Sequence, residues 1–596
     1  MTGVTGGTVT GDGLGRMLDA MRHEDWYDEE RFEDDAVGLG ALHHGDRDPE
    51  GHTAWQGSRA AGVIDGAISN LAELGWDHED LFERFLDDPA ATARAVDGPF
   101  VIAAYDAAAD RVVVATDKIG CRPCFYATDD GFHFASEVSP LLAHVDDPTV
   151  DEQGVSDMIL MGNMWSDDTL VAEVDSLHPA TVLEYADGDV SRERYWAPTV
   201  DPTEPGSDYL YGLTKEFQRS MDRITRTVSG DVGLWLSGGL DSRATLSELV
   251  GNYRNGTGEE IDSLAAFVYD ANPGGGINPE LARQVTEVLE IPLEEVPLTA
   301  DRFAPRFEES IEITDGMVRW NTLLNLSSVF NIEAHDPGVT MEGLEGALVG
   351  HHLCRHHFTD VSSAVESMYR SEAAVSADRV RDVLAVDVDP KEPFRREARR
   401  SDGETLDEVI VDAHYRNYYH RLAHASNHLP RSQMGTRVTY ADGEFLDYCA
   451  SLPLQYRMGS APCSDGELIY GVVKPKITMI NQLDRDLAEI PYERSSLKPT
   501  IPYPAHVLGF YASTALARLR SDPTYGSKSI EGQWYRNHDA VRSKVNDLVA
   551  AACDRPLFDG DALRDLQETH LSGEGSEITT IAAVTTVEQW LQRHFD

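Results

Sequence analysis

The residues best suited to chemistry are the run Ser237-Gly238-Gly239-Leu240-Asp241-Ser242. It follows the apolar stretch VGLWL (232–236) and precedes SRATLSELV (242–250), which reads as strand, glycine turn and helix. Glycines let a backbone approach a ligand closely. The N–H groups at a helix start then form a cradle for an anion. The two serine hydroxyls add donors. An acid beside phosphate makes sense if Asp241 holds Mg²⁺, a hard cation that binds carboxylate and phosphate oxygens together. The chain has no GxxxxGK[ST], so the cradle is not a Walker A loop.

Such a loop needs a sheet to carry it. The stretch 209–228 has helical periodicity, with Leu213, Phe217, Met221 and Ile224 on one stripe. LAAFVYD (264–270) is a second buried strand, and the loop ANPGGGINPE leads into a helix through LARQVTEVLE. Alternating strands and helices predict a parallel sheet covered on both faces. The first ~190 residues read differently, as short β-branched strands such as AAGVID (60–65), FVIAAYD (100–106) and RVVVATD (111–117). The stretch APTVDPTEPGSD (197–208) is the linker between the two regimes, and the last ~90 residues are mainly helical.

The whole composition constrains partners. Fifty Lys and Arg stand against 103 Asp and Glu, a net charge of −53. Only 8 of the basic residues are Lys, and the acids are spread along the chain. A field of that sign excludes a generic nucleic-acid binder, and a dense carboxylate surface suits a salty cytoplasm, where screening suppresses self-repulsion. No run reaches the ~20 apolar residues of a membrane span, and the N-terminus carries no signal-peptide pattern. Six Cys in 596 residues are not a disulfide framework, so the chain is expected to be cytoplasmic and reduced.

SGGLDS is the signature of the ATP-pyrophosphatase fold in the form seen in asparagine synthetases, and the chain resembles that family. The resemblance implies an ATP- and Mg²⁺-dependent ligase. A carboxylate attacks the α-phosphorus, pyrophosphate leaves, and an amine attacks the acyl-adenylate. The loop from Leu236 to Ser242, with Val268 and Gly343, would meet the nucleotide by positional and electrostatic means. The family's second loop, SGEGADE, corresponds to Thr340-Met341-Glu342-Gly343-Leu344-Glu345-Gly346. Glu342 matches its first Glu, and Glu345 stands where its Asp ligates Mg²⁺ beside Asp241. Gly346 replaces its last Glu. Gln433 to Val438, with Phe445-Leu446-Asp447, resembles "EvR-x-PFLD", which makes Arg437 a candidate substrate or phosphate contact. The stretch Ile490 to Lys498 resembles "LP…R-x-K", whose cation neutralises charge on the α-phosphate. Lys498, then Lys474, with Arg494 as rival, are the candidates in a chain so poor in Lys.

Residues 97–142 resemble the glutaminase half of the same family: Asp97-Gly98-Pro99-Phe100, Asp117-Lys118-Ile119-Gly120-Cys121-Arg122-Pro123 and Phe134-Ala135-Ser136-Glu137 carry the likeness. The implied architecture is an N-terminal αββα, Ntn-hydrolase-like sandwich (1–196). It is joined to a doubly wound parallel sheet of the ATP-pyrophosphatase type (209–505) and a helical extension (506–596). The glutaminase chemistry is degenerate. Thr2 stands at the Cys nucleophile position, and Asp65-Gly66-Ala67 replaces an Asn-Gly-Glu oxyanion segment. A carboxylate cannot donate to an oxyanion. An N-terminal Thr can still act as a nucleophile with its own amine as base, so Thr2 stays on the list.

Cys121 and Cys124 form a CxxC but occupy apolar positions of the family pattern, so they read as packing residues. His351, His352, Cys354, His356 and His357 could hold a transition metal or line an acceptor pocket. The expected partners are a small carboxylate, aspartate first, and ammonia or an amine donor, without nucleic acid or membrane. A homodimer stays open. The alternatives are an intramolecular amide-forming cyclase of the beta-lactam synthetase or lasso-peptide cyclase type, and a non-catalytic ATP-binding protein. The active site is expected to be one of the few positive patches, built from Mg²⁺, helix N-termini, Lys498 or Lys474, and Arg437.

Overall fold

A computed structural model describes residues 2–201, 206–269, 277–350, 358–457, 459–461, 464, 466, 468–519 and 530–596, without the side chains of 277, 344, 345, 347, 455 and 517–519. The loop 270–276 and the His/Cys cluster 351–357 lie outside these residues.

The N-terminal region builds two six-stranded antiparallel sheets. One has the order β10-β8-β9-β1-β3-β2, with β1 Gly3–Gly7, β2 Asp28–Glu33, β3 Gly38–His43, β8 Phe125–Ala127, β9 His133–Ala135 and β10 Asp175–Ser176. The other has the order β12-β11-β7-β6-β5-β4, with β4 His52–Gln56, β5 Ala60–Gly66, β6 Phe100–Asp106, β7 Arg111–Thr116, β11 Thr181–Ala186 and β12 Asp189–Arg194. Period-two alternation assigns each strand's faces to different cores. Val63, Val101, Ala103, Val112 and Val114 meet Val4, Leu39 and Ala41 between the sheets. Ile64, Phe100, Ile102, Val113 and Ala115 face outward onto Leu81, Phe82 and Phe85 of helix His78–Asp87. Helix Asp12–Met21 covers the other sheet through Leu14, Met17, Leu18 and Met21, completing αββα.

The second region is a five-stranded parallel sheet of order β15-β14-β13-β16-β17, with β13 Gly230–Trp235, β14 Ile261–Tyr269, β15 Leu293–Val296, β16 Val339–Glu342 and β17 Gly435–Val438. Helix Ser207–Thr225 buries the expected stripe of Leu213, Phe217, Met221 and Ile224. Val268 is buried on β14. The C-terminal helices Asp539–Ala552 and Ile578–His594 are not a free extension. They pack onto Phe303, Phe307 and Trp320, and Trp590 donates to Asp315 at 2.7 Å. The expected boundary at 505/506 falls inside helix Tyr503–Leu519. Among the described residues no helix is long and apolar enough to cross a membrane.

Candidate active site

β13 and β16 are adjacent and parallel, with Leu234 in register with Met341. Their C-terminal ends therefore deliver the Ser237–Ser242 loop and Glu342 to the same edge of the sheet, where open α/β folds place ligands. Between them is a cleft of about 190 Å³, walled by Trp235, Phe267, Tyr269 and Leu326 and lined also by Ser237, Asp241, Ser242, Glu342 and Gly343.

The loop is held by its own serine hydroxyls and by Asn278. The Ser237 N–H donates to Ser242 Oγ at 3.1 Å, the Gly238 N–H to Asn278 Oδ1 at 2.9 Å and the Gly239 N–H to Ser237 Oγ at 3.2 Å. Each of these acceptors can be exchanged for a phosphate oxygen without breaking the sheet. Gly239 is the N-cap of helix Leu240–Asn255, with no side-chain cap, so the positive helix end faces the loop. Glu493 sits over the glycines: a Cβ built on Gly238 would be 3.0 Å from its Oε2. Burial raises the Glu493 carboxyl above its ordinary value, and nearby Asp241 adds to this against the pull of Arg494 and Arg243.

Asp241 makes a 2.7 Å ion pair with Lys476 through Oδ2, while Oδ1 is buried without a hydrogen-bond partner among the described residues. Such an oxygen suits Mg²⁺, which takes one or two carboxylates plus substrate phosphates. The side chain of Glu345 lies outside the described residues, which contain no cluster of three or more metal-ligating side chains. Gly346 explains the lost Glu of the family motif. A Cβ there would lie 2.3 Å from Asp241 Cγ, so Asp241 leaves no room for a side chain. Glu342 is 4% exposed and its Oε1 has no described partner. Burial pushes its carboxyl up to about 8, against the pull of Arg122 and Arg431.

Several candidates lie elsewhere. Lys498 is half exposed and paired with Glu489 at 3.0 Å. Lys474 is exposed in the first turn of helix Lys474–Leu483. Arg437 is fully buried and committed to Asp48, at 2.6 and 3.0 Å, and to the carbonyl and hydroxyl of Thr227. It braces the two domains and does not reach the cleft. The cation on Asp241 is Lys476, buried two residues beyond Lys474 on the inward side of the same helix. The cluster of three Lys at 474, 476 and 498, in a chain with only eight, pointed to the region but not to this residue. Among the described residues the expected positive patch does not form either, since Asp241 and Glu493 stand beside Lys476 and Arg494.

The sandwich has its own pocket of only about 10 Å³, lined by Thr2, Asp65, Arg122 and Arg431. Thr2 is buried. Arg431 of the parallel-sheet domain fills this space. It donates to the Thr2 carbonyl at 3.2 Å and to Asp65 at 2.6 Å. Asp65 thus serves an ion pair where the family has an amide donor. Cys121 and Cys124 are buried on different cores, and burial pushes the Cys124 thiol up.

These features define a two-domain class: an antiparallel αββα sandwich fused to a parallel sheet with an anion cradle and two acidic positions at one sheet edge. Comparison with known proteins gives the same answer. The family model described as Glutamine amidotransferase domain matches residues 75–196, and the one described as Asparagine synthase matches 212–462. Glutamine-hydrolyzing asparagine synthetase 3 of Bacillus subtilis (strain 168) is 28% identical over 183 residues, 30% of this chain and 29% of the relative. Synthetase 1 of the same organism is 26% identical over 135 residues, 22% of this chain and 21% of the relative. The aligned stretch thus spans less than a third of either relative. The glutamine phosphoribosylpyrophosphate amidotransferase structure from B. subtilis, complexed with ADP and GMP, aligns at TM-score 0.24 and 13% identity, over 49% of this chain and 65% of that one. The chain thus carries a glutamine amidotransferase domain followed by an asparagine synthase domain, and is similar to asparagine synthetases.

Proposed function

We propose that this protein is an ATP-dependent amide ligase forming AMP and pyrophosphate, which activates a carboxylate, aspartate first, for attack by ammonia or an amine. The observation that carries this reading is the pairing of the Ser237–Ser242 cradle with Asp241–Lys476 and Glu342 around one cleft. In the reaction the cradle exchanges its side-chain acceptors for phosphate oxygens. Lys476 is positioned to leave Asp241 and meet the charge developing on phosphate. Glu342, neutral at pH 7, gives the cleft a buried hydrogen-bond donor. Asp241, with Glu345 as second candidate, would hold Mg²⁺, which supplies charge neutralisation when bound.

The pocket sealed by Arg431 and Asp65 supports a nitrogen source other than glutamine. The same observation keeps a second reading alive, an amide-forming cyclase that closes on its substrate's own amine. Carboxylate-dependent ATP–pyrophosphate exchange in high salt with Mg²⁺ tests both. Exchange with aspartate selects the synthetase, and exchange only with an amine-bearing carboxylate selects the cyclase. No exchange with any carboxylate overturns the ligase reading. Asp241→Ala and Lys476→Met should each lower exchange by about a hundredfold or more, while Lys498→Ala stays within about twofold. Thr2→Ala should leave ammonia-dependent turnover unchanged.

A further inference from the structure

We propose that the N-terminal sandwich acts on the cleft as a clamp, with Asp48 the central positioning residue. It fixes β17 and, through β17, the Asp241 and Glu342 loops. The importance of those loops rests on the reading above.

The contact follows one segment almost residue by residue. His44 Nε2 lies 2.9 Å from the Arg431 carbonyl oxygen. The Tyr27 hydroxyl donates to the Ser432 carbonyl at 2.7 Å, and Gln433 Nε2 donates to Glu24 at 2.7 Å. Arg122 donates to the carbonyl and hydroxyl of Thr436 at 3.0 and 3.2 Å. Asp48 receives both Nη atoms of Arg437 at 2.6 and 3.0 Å. A Cβ on Gly435 would lie 2.0 Å from Asp48 Oδ2, so only glycine lets the carboxylate come this close to β17.

The far side of the segment meets the cleft. Pro430 lines it. Arg437 is in register with Met341 and Val438 with Glu342. The Thr439 hydroxyl donates to the Glu342 carbonyl at 3.0 Å, and the Tyr440 hydroxyl donates to the Asp241 carbonyl at 2.9 Å. Both acidic loops thus hang on residues two and three beyond Arg437. A buried ion pair is weak evidence for stability, because desolvation offsets its attraction, and its attested use is to fix register. Asp48 and Arg437 fit that use. The sandwich, with its own pocket filled, retains this work.

Hydrogen-exchange mass spectrometry of the full chain in high KCl tests the clamp without relying on activity. In Asp48→Asn, amides of 236–242 and 338–346 should exchange about tenfold faster while those of β5, β6 and β7 stay unchanged. Tyr27→Phe, which removes one hydroxyl donor remote from the cleft, should speed the same loops about threefold and keeps the test decisive if Asp48→Asn does not fold. In exchange assays Asp48→Asn should lower kcat about tenfold with little change in KM for ATP. Faster amide exchange confined to 430–438, or spread evenly over the chain, overturns the clamp. Wild-type protein without pyrophosphate exchange overturns the ligase reading alone.

Discussion

A carboxyl group shut away from water at the end of β16 is costly to ionise, and Glu342 meets that cost by keeping its proton. Its folded value of about 8 lies well above the roughly 4.3 of an exposed Glu. Between those values the native state holds a proton that the unfolded chain has lost, so this group makes stability fall as pH rises. The penalty is absent below about pH 4.3, grows up to about pH 8 and is constant beyond. Glu342→Gln removes it while keeping the shape. The variant should therefore gain stability over wild type progressively from pH 5 to 8, reaching on the order of 3–5 kcal/mol, and no more above. Chemical denaturation at fixed salt over that range measures the difference, and a gain independent of pH would sink the assignment. At this scale the sequence was only partly legible. Asp241 and Glu342 announce themselves through motifs. Lys476 does not, because Lys474 and Lys476 share one helix and only packing decides that the second turns inward. Arg437 misled for the opposite reason: its partner Asp48 is 389 residues away.

At the scale of elements, the loop's shape depends on a residue inside the following helix. Arg243 is fully buried in helix Leu240–Asn255. Its guanidinium donates to the carbonyls of Leu487 (3.2 Å), Ile490 (2.9 Å), Pro491 (3.0 Å) and Gly238 (3.4 Å). It ties the cradle to the segment that carries Glu493 over it. Burial lowers its pKa to about 10, with Glu493 pulling the other way, so it remains charged at pH 7. Lys cannot span four carbonyls with one ammonium. Arg243→Lys should therefore weaken pyrophosphate binding about tenfold and cost about 2 kcal/mol from carbonyls left unpaired. Titration calorimetry with Mg²⁺–pyrophosphate checks the first, and unchanged affinity would free the loop from Arg243. Strands and helices were the most legible features, since period-two and helical stripes are local. The ten-residue π-helix Tyr415–His424 was not. Its side chains read like those of any buried helix, and its register is set by contacts such as His420 with Gly120 and Ser176.

The whole molecule carries −53 charges, and they act on fold and ligand alike. Pairs that hold the domains together are buried, as in Asp48–Arg437 and Asp65–Arg431. Salt screens such pairs little, whereas exposed carboxylates repel over a Debye length that shrinks from about 10 Å at 0.1 M to about 3 Å at 1 M. Added KCl therefore relieves repulsion without loosening the clamp, and the thermal midpoint should rise most steeply below about 1 M. A midpoint that falls with KCl would show that ion pairs, not repulsion, dominate the balance. The same field opposes the approach of a polyanion, because the cleft's cations Lys476 and Arg494 stand beside Asp241 and Glu493. Most proteins that bind polyanions lose association rate as salt screens an attractive surface. Here the sign reverses. Stopped-flow binding of pyrophosphate, followed by fluorescence of Trp235 in the cleft wall, should speed up as KCl increases. Slowing with salt would mean that the cleft presents a net positive face despite the acids around it.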